Sequence, residues 1–526
     1  MQAAIRRTIE AARRGGLGVG AALVVALALP TGVEAAEFEV TSLNDIGSGS
    51  LREAIETANE HPDEASMIGF AEGLEGAITL ESPLPELVKR LEIVGSGADR
   101  LTVARDPEAA EFRIFTVGSG SRATISGLMI SGGRAGIEDL PGELFGEAVA
   151  GGGILVAEDG ELTLKDAVVR DNVASSSGVT SIAIGGGIAN FGAVTIDATT
   201  ISGNLVETSG PASGSIALGG GIGSLGMTSG VTVRLSTVSE NRAGAHTLPH
   251  GNAAGGGIGT FDDGLPTTIE SATIAANAAE GSNPISANLY FTGQFRTGSV
   301  RNTILADPDG TRNCFLDPEA TLQSLGHNLA DDDSCELDGT DDQEGADPGL
   351  KPLADNGGPA PTHAITPGGP ARDQGSSGGL TVDQRGFPRP VDDPAVANAP
   401  FGDGSDIGAF ELQTLALAPE LRLQAQPRVR RVGPNRRLAG YTFRVRNVGD
   451  APTETVRLCA RAPKQRVAIR GTRCVVRQIP EGQARQRQVR VRIKRSAGGE
   501  VTRIRLIARG PNVDNEQTFV RLRVSR

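Results

Sequence analysis

The chain has 526 residues with 72 Gly, two Tyr and no Trp, and only 3% of its residues are aromatic. This length exceeds one ordinary compact core, and the composition excludes a helical bundle in favour of short stacked strands joined by many turns. Residues 415–526 hold 27 Lys and Arg against 7 Asp and Glu, a net charge of +20, whereas the other 414 residues hold 23 against 56, a net charge of −33, so we predict two domains with different partners.

Residues 1–35 are typical of an export signal. A basic segment that contains Arg6 and Arg14 precedes an uncharged apolar stretch over residues 16–29, and a small-x-small cleavage site ends at Ala35. The apolar stretch is shorter than the roughly 20 residues that span a membrane. We therefore expect cleavage after Ala35, a secreted or cell-surface location, and no transmembrane span in the mature chain.

Residues 36–80 are predicted to form the N-terminal cap of the repeat domain. Ser50-Leu-Arg-Glu53 is a capping box, in which Ser50 accepts a hydrogen bond from the first turn of a helix and Glu53 reaches back. One face of this helix is apolar, through Leu51, Ala54, Ile55 and Ala58. We expect the helix to cover the open end of a strand stack, which would otherwise invite aggregation.

Internal repeats dominate residues 81–310. The segment Gly-Gly-Gly-Ile begins at residues 151, 185, 219 and 255, and each copy is followed by a β-branched run and an asparagine. These asparagines are Asn172, Asn204, Asn241 and Asn277. Strands this short bury a face only when successive copies stack, so we predict one parallel stack with Ile154, Ile188, Ile222 and Ile258 in register. The glycines supply left-handed turns and the asparagines a hydrogen-bonded ladder, so both are architectural.

Each repeat is longer than a minimal coil. The surplus residues, rich in Ser, Gly and Ala, lie at 173–184, 205–218 and 242–254. We expect them to project from one side of the stack as loops, and this side is the first surface to consider for a ligand.

The cap and the repeats resemble a family of bacterial surface proteins. Residues 49–55, Gly-Ser-Leu-Arg-Glu-Ala-Ile, are similar to the N-terminal motif named for Cys-Ser-Leu-Arg-Glu-Ala, with Gly49 at the cysteine position. Gly-Gly-Gly-Ile-Ala-Asn190 with Thr-Ile-Ser-Gly-Asn204 is similar to the repeat of that family. The resemblance implies a right-handed parallel β-helix with the pectin-lyase-like fold.

Residues 311–412 resemble the terminal module called the choice-of-anchor Q domain. The matching motifs include Leu-Gly-His-Asn328, Thr362-His363, Asp383-Gln-Arg-Gly386 and Asp406-Ile-Gly-Ala-Phe410. Together the two resemblances cover most of residues 37–412. They imply a protein at a bacterial surface, often beside attachment modules, and they imply no known reaction.

Residues 413–426 are predicted as a linker, and residues 427–526 as a small, basic β-sandwich of the immunoglobulin-like type. Strands at 441–446 and 489–494 alternate apolar and polar residues, and the turn after Asn447 resembles CARDB-type adhesion modules.

The alternation places five basic side chains outward: Arg444, Arg446, Arg490, Arg492 and Lys494. We expect this surface to bind an anionic wall polymer or acidic glycan, without specific recognition of nucleic acid. The alternative is a solvated arginine-rich surface, or one that contacts the acidic repeat domain.

The four cysteines fall into two local pairs, and each pair closes a short loop. We predict disulfides between Cys314 and Cys335 and between Cys459 and Cys474, as suits an exported protein. The alternative is four unpaired buried thiols.

Catalytic chemistry on a β-helix that resembles pectate lyases needs converging groups. Glycoside hydrolysis requires two carboxylates, and β-elimination requires a base beside Arg or Lys with calcium on the uronate. The candidates are scattered: Asp262 with Asp263, and Asp166 and Asp171 with Arg170. The acidic loop over 331–344 could hold calcium, but it lacks the spacing of an EF-hand.

We therefore predict no catalytic residue, no cofactor-binding residue and no metal ligand, and we leave the oligomeric state open. The favoured function is a non-enzymatic secreted or cell-surface β-helix protein that acts as an adhesin or structural spacer, with a basic C-terminal module that binds anionic envelope polymer. The alternative function is a polysaccharide lyase or glycoside hydrolase that acts on an acidic glycan.

Overall fold

The structure, a computed structural model, describes residues 35–413 and 421–524 with gaps. The gaps in the first range are residues 64, 137–147, 178–181, 210–214, 247–250, 262–263 and 294–296. The gaps in the second range are residues 428, 434–437, 448–452, 454, 464, 473, 481–482, 495–500 and 511–512, and the side chains of 501, 510 and 513–516 are also left out. The predicted export signal, up to residue 34, lies outside the described residues. Among those residues, no helix is long and apolar enough to cross a membrane.

Residues 36–344 form a parallel β-helix whose core lies between three sheets, A, B and C. Sheet A contains Ala36–Val40, Ala65–Phe70, Arg90–Val94, Arg122–Ser126, Glu161–Lys165, Ala193–Asp197, Gly230–Arg234, Thr267–Glu270, Thr297–Arg301 and Thr321–Ser324. Sheet B contains Gly76–Leu80, Leu101–Arg105, Met129–Ser131, Val168–Arg170, Thr200–Ser202, Thr237–Ser239, Thr273–Ala275, Ile304–Ala306, Leu329–Ala330 and Gln343–Glu344. Sheet C contains Phe115–Val117, Ile154–Val156, Ile188–Asn190, Ile222–Leu225, Ile258–Phe261, Leu289–Phe291 and Cys314–Leu316.

The predicted register of the repeats is confirmed. The four isoleucines that follow the Gly-Gly-Gly segments pair in sequence, from Ile154 through to Ile258, and all four are fully buried. Parallel pairing starts earlier and ends later than the predicted range, because it runs from Ala36 to Glu344. The predicted cap and the start of the predicted terminal module therefore contribute strands to the stack.

The predicted N-terminal helix is confirmed as Leu51–Glu60, beside the first two strands of sheet A. The Ser50 hydroxyl accepts from the backbone N–H of Glu53 at 3.2 Å, and the Glu53 carboxylate accepts from the backbone N–H of Gly49 at 2.6 Å. The four apolar residues of its predicted inner face are all buried. The helix therefore covers one end of the core, as the capping box indicates.

The asparagine ladder runs through the interior of the stack. Each predicted asparagine donates its side-chain amide to the side-chain oxygen of the next, at 2.8–3.0 Å, and Asn288 and Asn313 extend the ladder. The first glycine of each repeat has φ between +62° and +71°. The third glycine faces the ladder, because a Cβ at Gly187 would lie 3.0 Å from Cγ of Asn204. Both residue types are thus needed for close stacking.

The surplus residues of each repeat form strands, so their prediction as loops is wrong. Sheet D contains Arg134–Ala135, Val173–Ser176, Leu205–Thr208, Arg242–Ala245 and Ala278–Gly281. Sheet E contains Ala148–Ala150, Ile182–Ile184, Ile216–Leu218, Asn252–Ala254 and Asn283–Ser286. Eight alanines and two valines form the core between these two sheets. Side chains this small let sheets D and E pack closely against each other. The two sheets together form a projection from the side of the β-helix, which we call the fin. The Ser, Gly and Ala content that predicts loops is therefore also compatible with these paired strands.

Residues 346–412 lie against the outer face of sheet B instead of continuing the coils. Thr200, Thr237 and Ser239 point away from the core of the stack, yet each is fully buried. Their side chains hydrogen-bond Pro361, Gln384 and His363 of this segment. An apolar cluster that includes Ile304, Ile407 and Phe410 seals the same contact. The motifs of the family resemblance in this segment therefore hold it to the β-helix.

Residues 421–524 form a two-sheet β-sandwich with its own apolar core. Sheet F contains, in order, Leu421–Gln426, Leu438–Asn447, Ala484–Ile493 and Val467–Arg470, all antiparallel. Sheet G contains, in order, Val429–Val432, Val513–Val524, Val501–Gly510, Val456–Arg461 and Cys474–Arg477. The predicted linker is too long, because Leu421–Gln426 pairs with Leu438–Asn447 as an edge strand.

Both predicted disulfides are confirmed. Cys314 is bonded to Cys335 beneath the last coils of the β-helix, and Cys459 is bonded to Cys474 across neighbouring strands of sheet G. Each bond therefore links parts of the chain that already lie within one domain.

Candidate polyanion-binding site

The five basic residues predicted to face outward from the sandwich are all exposed. Four of them stand on sheet F, and Lys494 directly follows its strand Ala484–Ile493. Arg446 lies opposite Arg422, and Arg490 lies opposite Arg470. The alternation therefore predicts their orientation correctly, while their role in binding stays a prediction.

Sheet F separates these cations into two groups. Arg490 lies opposite Gly440, which is four residues, or about 14 Å, along its strand from Arg444. The cross-strand row between the groups is uncharged and contains Thr442 opposite Gln488. Sheet F thus presents two basic ends and a neutral centre.

Sheet G presents a denser basic face, which we call the arginine face. Its eight outward, exposed arginines are Arg431, Arg457, Arg461, Arg503, Arg505, Arg509, Arg521 and Arg523. They form four directly opposed cross-strand pairs: Arg431 with Arg523, Arg503 with Arg521, Arg461 with Arg505, and Arg457 with Arg509. Like charges that face each other across a sheet destabilise it, and an anion bound at this face would offset that cost.

Residues 421–526 hold 27 Lys and Arg against six Asp and Glu. The six Asp and Glu of residues 421–526 all fall at positions or side chains that the structure leaves out. Burial and the charge of Arg477 lower the pKa of the Arg487 guanidinium, which reflects the same positive surroundings. The excess of positive charge in this domain therefore attracts anions.

The arginine face has an aromatic residue and a cavity at its border. The Arg505 guanidinium lies 5.1 Å from the ring centroid of Phe519, whose side chain is 43% exposed. Arg461 lines a cavity of about 650 Å³, and the lining also includes Val467, Ile469 and Lys494. Cations thus continue from the arginine face to one of the predicted residues.

Sequence reasoning missed the arginine face. The signal for its strands is present as Arg503-Ile-Arg505 and Arg521-Leu-Arg523, which alternate like the strands of sheet F. The pairing of these strands with Val429–Val432 and Val456–Arg461 is not local in sequence. Alternation places the side chains outward, but only the sheet order brings eight of them together.

The acids of the enzyme hypothesis do not assemble into a catalytic set among the described residues. Asp166, Asp99 and Arg100 line one open groove of about 470 Å³. Burial raises the pKa of the Asp166 carboxyl, and the charges that act on it are those of Lys165 and Asp197. Lys165 and Asp197, and not Asp99 or Arg100, are therefore the charged neighbours that shift this pKa.

The remaining candidate acids are paired or lie outside the described residues. Asp171 forms an ion pair with its neighbour Arg170 at 2.8 Å on the exposed surface. Asp262 and Asp263 fall in a gap of the described range.

The acidic loop at the end of the β-helix caps the last coils. Asp331 accepts a hydrogen bond from the side-chain amide of Asn313 at 2.5 Å and so ends the asparagine ladder. Asp342 accepts from the backbone N–H and the side chain of Asn328. Across the described part of the chain, no three His, Cys, Asp or Glu side chains converge as metal ligands would.

A serine and a histidine meet under residues 346–412. The Ser239 hydroxyl lies 2.7 Å from Nε2 of His363, whose Nδ1 lies 2.7 Å from the carbonyl oxygen of Lys351. This arrangement of nucleophile, base and orienting group is that of a hydrolase. Ser239 is fully buried and His363 is 4% exposed, however. No substrate reaches them in this conformation, so the pair acts as a packing contact.

No protein-family model matches the chain, and no curated protein matches it either. The family resemblance therefore rests on the sequence motifs alone. The structure itself establishes an all-β chain in which a parallel β-helix precedes an antiparallel β-sandwich.

Proposed function

We propose that this chain is an exported, non-enzymatic protein of the cell surface, an adhesin or structural spacer. The β-helix supplies a rigid body, and the basic sandwich binds an anionic polymer of the envelope. The arginine face is the observation that carries this proposal. Four opposed arginine pairs on one sheet cost stability, and an anion that lies between the members of a pair offsets this cost.

Three further features support a surface role. The two disulfides suit an oxidising compartment. The motifs shared with choice-of-anchor Q modules are used to fasten residues 346–412 to sheet B, as expected of a structural module. The sandwich, with its CARDB-like turn sequence after Asn447, follows directly as an attachment module would.

The test is binding by the mature chain, residues 36–526, to inorganic polyphosphate and to an acidic glycan at low and at physiological salt. Binding through charge releases counterions, so affinity should fall steeply as salt rises. An absence of binding at low salt would refute the proposal. Binding that is indifferent to salt would show that charge is not its cause.

The alternative, a lyase or hydrolase acting on an acidic glycan, draws support from one observation. Two carboxylates and one guanidinium, those of Asp99, Asp166 and Arg100, line a single groove. Incubation with pectins, alginates and glycosaminoglycans, followed by assays for unsaturated products and new reducing ends, tests it. Product formation that is lost in Asp166→Asn would replace the spacer proposal with the enzyme.

A further inference from the structure

We infer that six residues of the arginine face form one continuous track for a single linear polyanion. This inference rests on the proposed function and specifies where and how the polymer lies. The six residues, in order along the track, are Arg431, Arg523, Arg521, Arg503, Arg505 and Arg461.

Successive arginines of the track are alternately cross-strand partners and residues two positions apart on one strand. Arg431 faces Arg523 on the neighbouring strand, and Arg521 lies two residues before Arg523 on the same outward side. Arg521 faces Arg503, two residues from Arg505, and Arg505 faces Arg461. A step across is about 5 Å and a step along is about 7 Å, so the track is about 20 Å long end to end.

The other arginines of the face lie apart from this track. Arg457 and Arg509 oppose each other four residues beyond Arg461 and Arg505, or about 14 Å along the strands. The row between them is uncharged and contains Ile507 opposite Cys459. The continuous run of charge therefore ends at Arg461, on the border of the 650 Å³ cavity that also includes Lys494.

The spacing selects the chemistry of the partner. A polymer that follows the track must be linear, flexible and charged at intervals of about 5–7 Å. Guanidinium groups bind phosphate and carboxylate through paired N–H donors, so each of the six arginines can hold one anionic group of the polymer. Binding of this kind depends on the spacing of charges along the polymer and does not distinguish the order of its monomers.

The test uses the mature chain and abasic phosphodiester oligomers of defined length. Affinity should rise steeply until an oligomer carries about six charges and level off beyond that length, because the track is then full. The logarithm of the affinity should fall with the logarithm of the salt concentration with a slope of about −4, from about 0.7 for each of six contacts.

Three variants, each with three Arg→Gln substitutions, have the same net charge. Comparing their affinities distinguishes binding at the track from binding that depends on net charge alone. The track variant carries Arg503→Gln, Arg505→Gln and Arg521→Gln. The sheet F variant carries Arg444→Gln, Arg490→Gln and Arg492→Gln. The control carries Arg430→Gln, Arg477→Gln and Arg485→Gln, at exposed sandwich positions outside both sets.

The track variant should bind about 30-fold or more weakly and reduce the salt slope by about 2, with the control close to wild type. Equal weakening in all three variants, or a larger loss in the sheet F variant, would overturn the track while leaving polyanion binding intact. Failure of the wild type to bind at low salt would instead overturn the proposed function. Arg→Lys at the three track positions keeps the charge and should retain the slope, which guards against loss of folding.

Discussion

At the scale of single residues, the buried asparagine ladder fixes how successive coils stack. The Asn204 side chain accepts from the backbone and the side chain of Asn172 and donates to Val169 and Asn241. Asn204→Ala would leave these buried groups without partners, at a cost of about 3 kcal/mol. Urea unfolding measures this cost. Asn252→Ala is the control, because Asn252 makes a similar amide pair with Asn283 at the surface, and it should change stability little.

A second single-residue prediction concerns the hydroxyl of Tyr441. This side chain is among the largest fully buried ones, and its oxygen has no hydrogen-bond partner among the residues that the structure describes. Burial raises the pKa of Tyr441 to about 12, as expected for an oxygen out of reach of water. Tyr441→Phe removes an unsatisfied group, so the sandwich should become more stable by about 1 kcal/mol. A loss of stability on guanidinium unfolding would show that the hydroxyl has a partner.

At the scale of elements, the repeat register was predictable and the fin was not. Gly-Gly-Gly-Ile and the following asparagine mark equivalent points of each coil, so their spacing alone aligns Ile154 with Ile188 and its successors. Sheets D and E depend on Ala174, Ala183 and similar small residues packing against each other. Alanine and glycine carry no alternating pattern that distinguishes a strand from a loop, so their pairing depends on the neighbouring coil.

The candidate site was predictable only in part for a related reason. Alternation along a strand predicts that Arg444 and Arg492 point outward, and they do. It does not predict that Val429–Val432 pairs in parallel with the last strand and so sets Arg431 opposite Arg523. The arginine face is therefore a consequence of sheet order, which local sequence does not determine.

The segment over residues 346–412 should respond to pH through two buried carboxyls. The charge of Arg389 acts on both Asp406 and Glu411, and its Nε lies 3.1 Å from the Glu411 carboxylate. Burial raises the pKa of Asp406 to about 6 and that of Glu411 to about 8, despite the opposing influence of Arg389. The pair therefore retains protons in the folded state that the unfolded chain releases near pH 4.

The sign of the pH effect follows from these directions. A raised carboxyl pKa contributes stability that is complete below about pH 4 and is lost as the pH rises through about 6 and 8. Hydrogen exchange in residues 346–412 should therefore become faster from pH 5 to pH 8, after correction for the intrinsic rate. Glu411→Gln mimics the protonated carboxyl and should remove the part of this change near pH 8. An identical profile in that variant would contradict the assignment.

His363 acts in the opposite direction in the same segment. Burial lowers the pKa of its imidazole, so the neutral ring contributes stability to the segment that is complete above pH 6.5 and is lost as the pH falls through the lowered pKa. The attachment of residues 346–412 to sheet B should thus be weakened at both ends of the range, by imidazole protonation in acid and by carboxyl ionisation in base.

At the scale of the whole molecule, the two domains differ in charge and each contains one tyrosine. Tyr290 lies in sheet C, where its ring stacks on Phe315 at a centroid distance of 5.3 Å, and Tyr441 lies in the core of the sandwich. The chain has no Trp. Tyr290→Phe therefore leaves a fluorescence signal from the sandwich alone, and Tyr441→Phe leaves one from the β-helix alone.

These reporters allow the effect of a polyanion on each domain to be measured in the intact mature chain. An anion that binds only the folded sandwich at 100 times its dissociation constant adds about 2.7 kcal/mol of stability, or about 10–20 °C in the melting temperature of a domain of this size. Residues 1–414 carry a net charge of −33 and repel the same polymer, so the β-helix transition should not move. Without polymer, added salt should also raise the melting temperature of the sandwich, because salt screens the repulsion within the opposed arginine pairs. A polyanion that shifted both transitions equally, or only that of Tyr290, would place binding on the β-helix and remove the sandwich from the function.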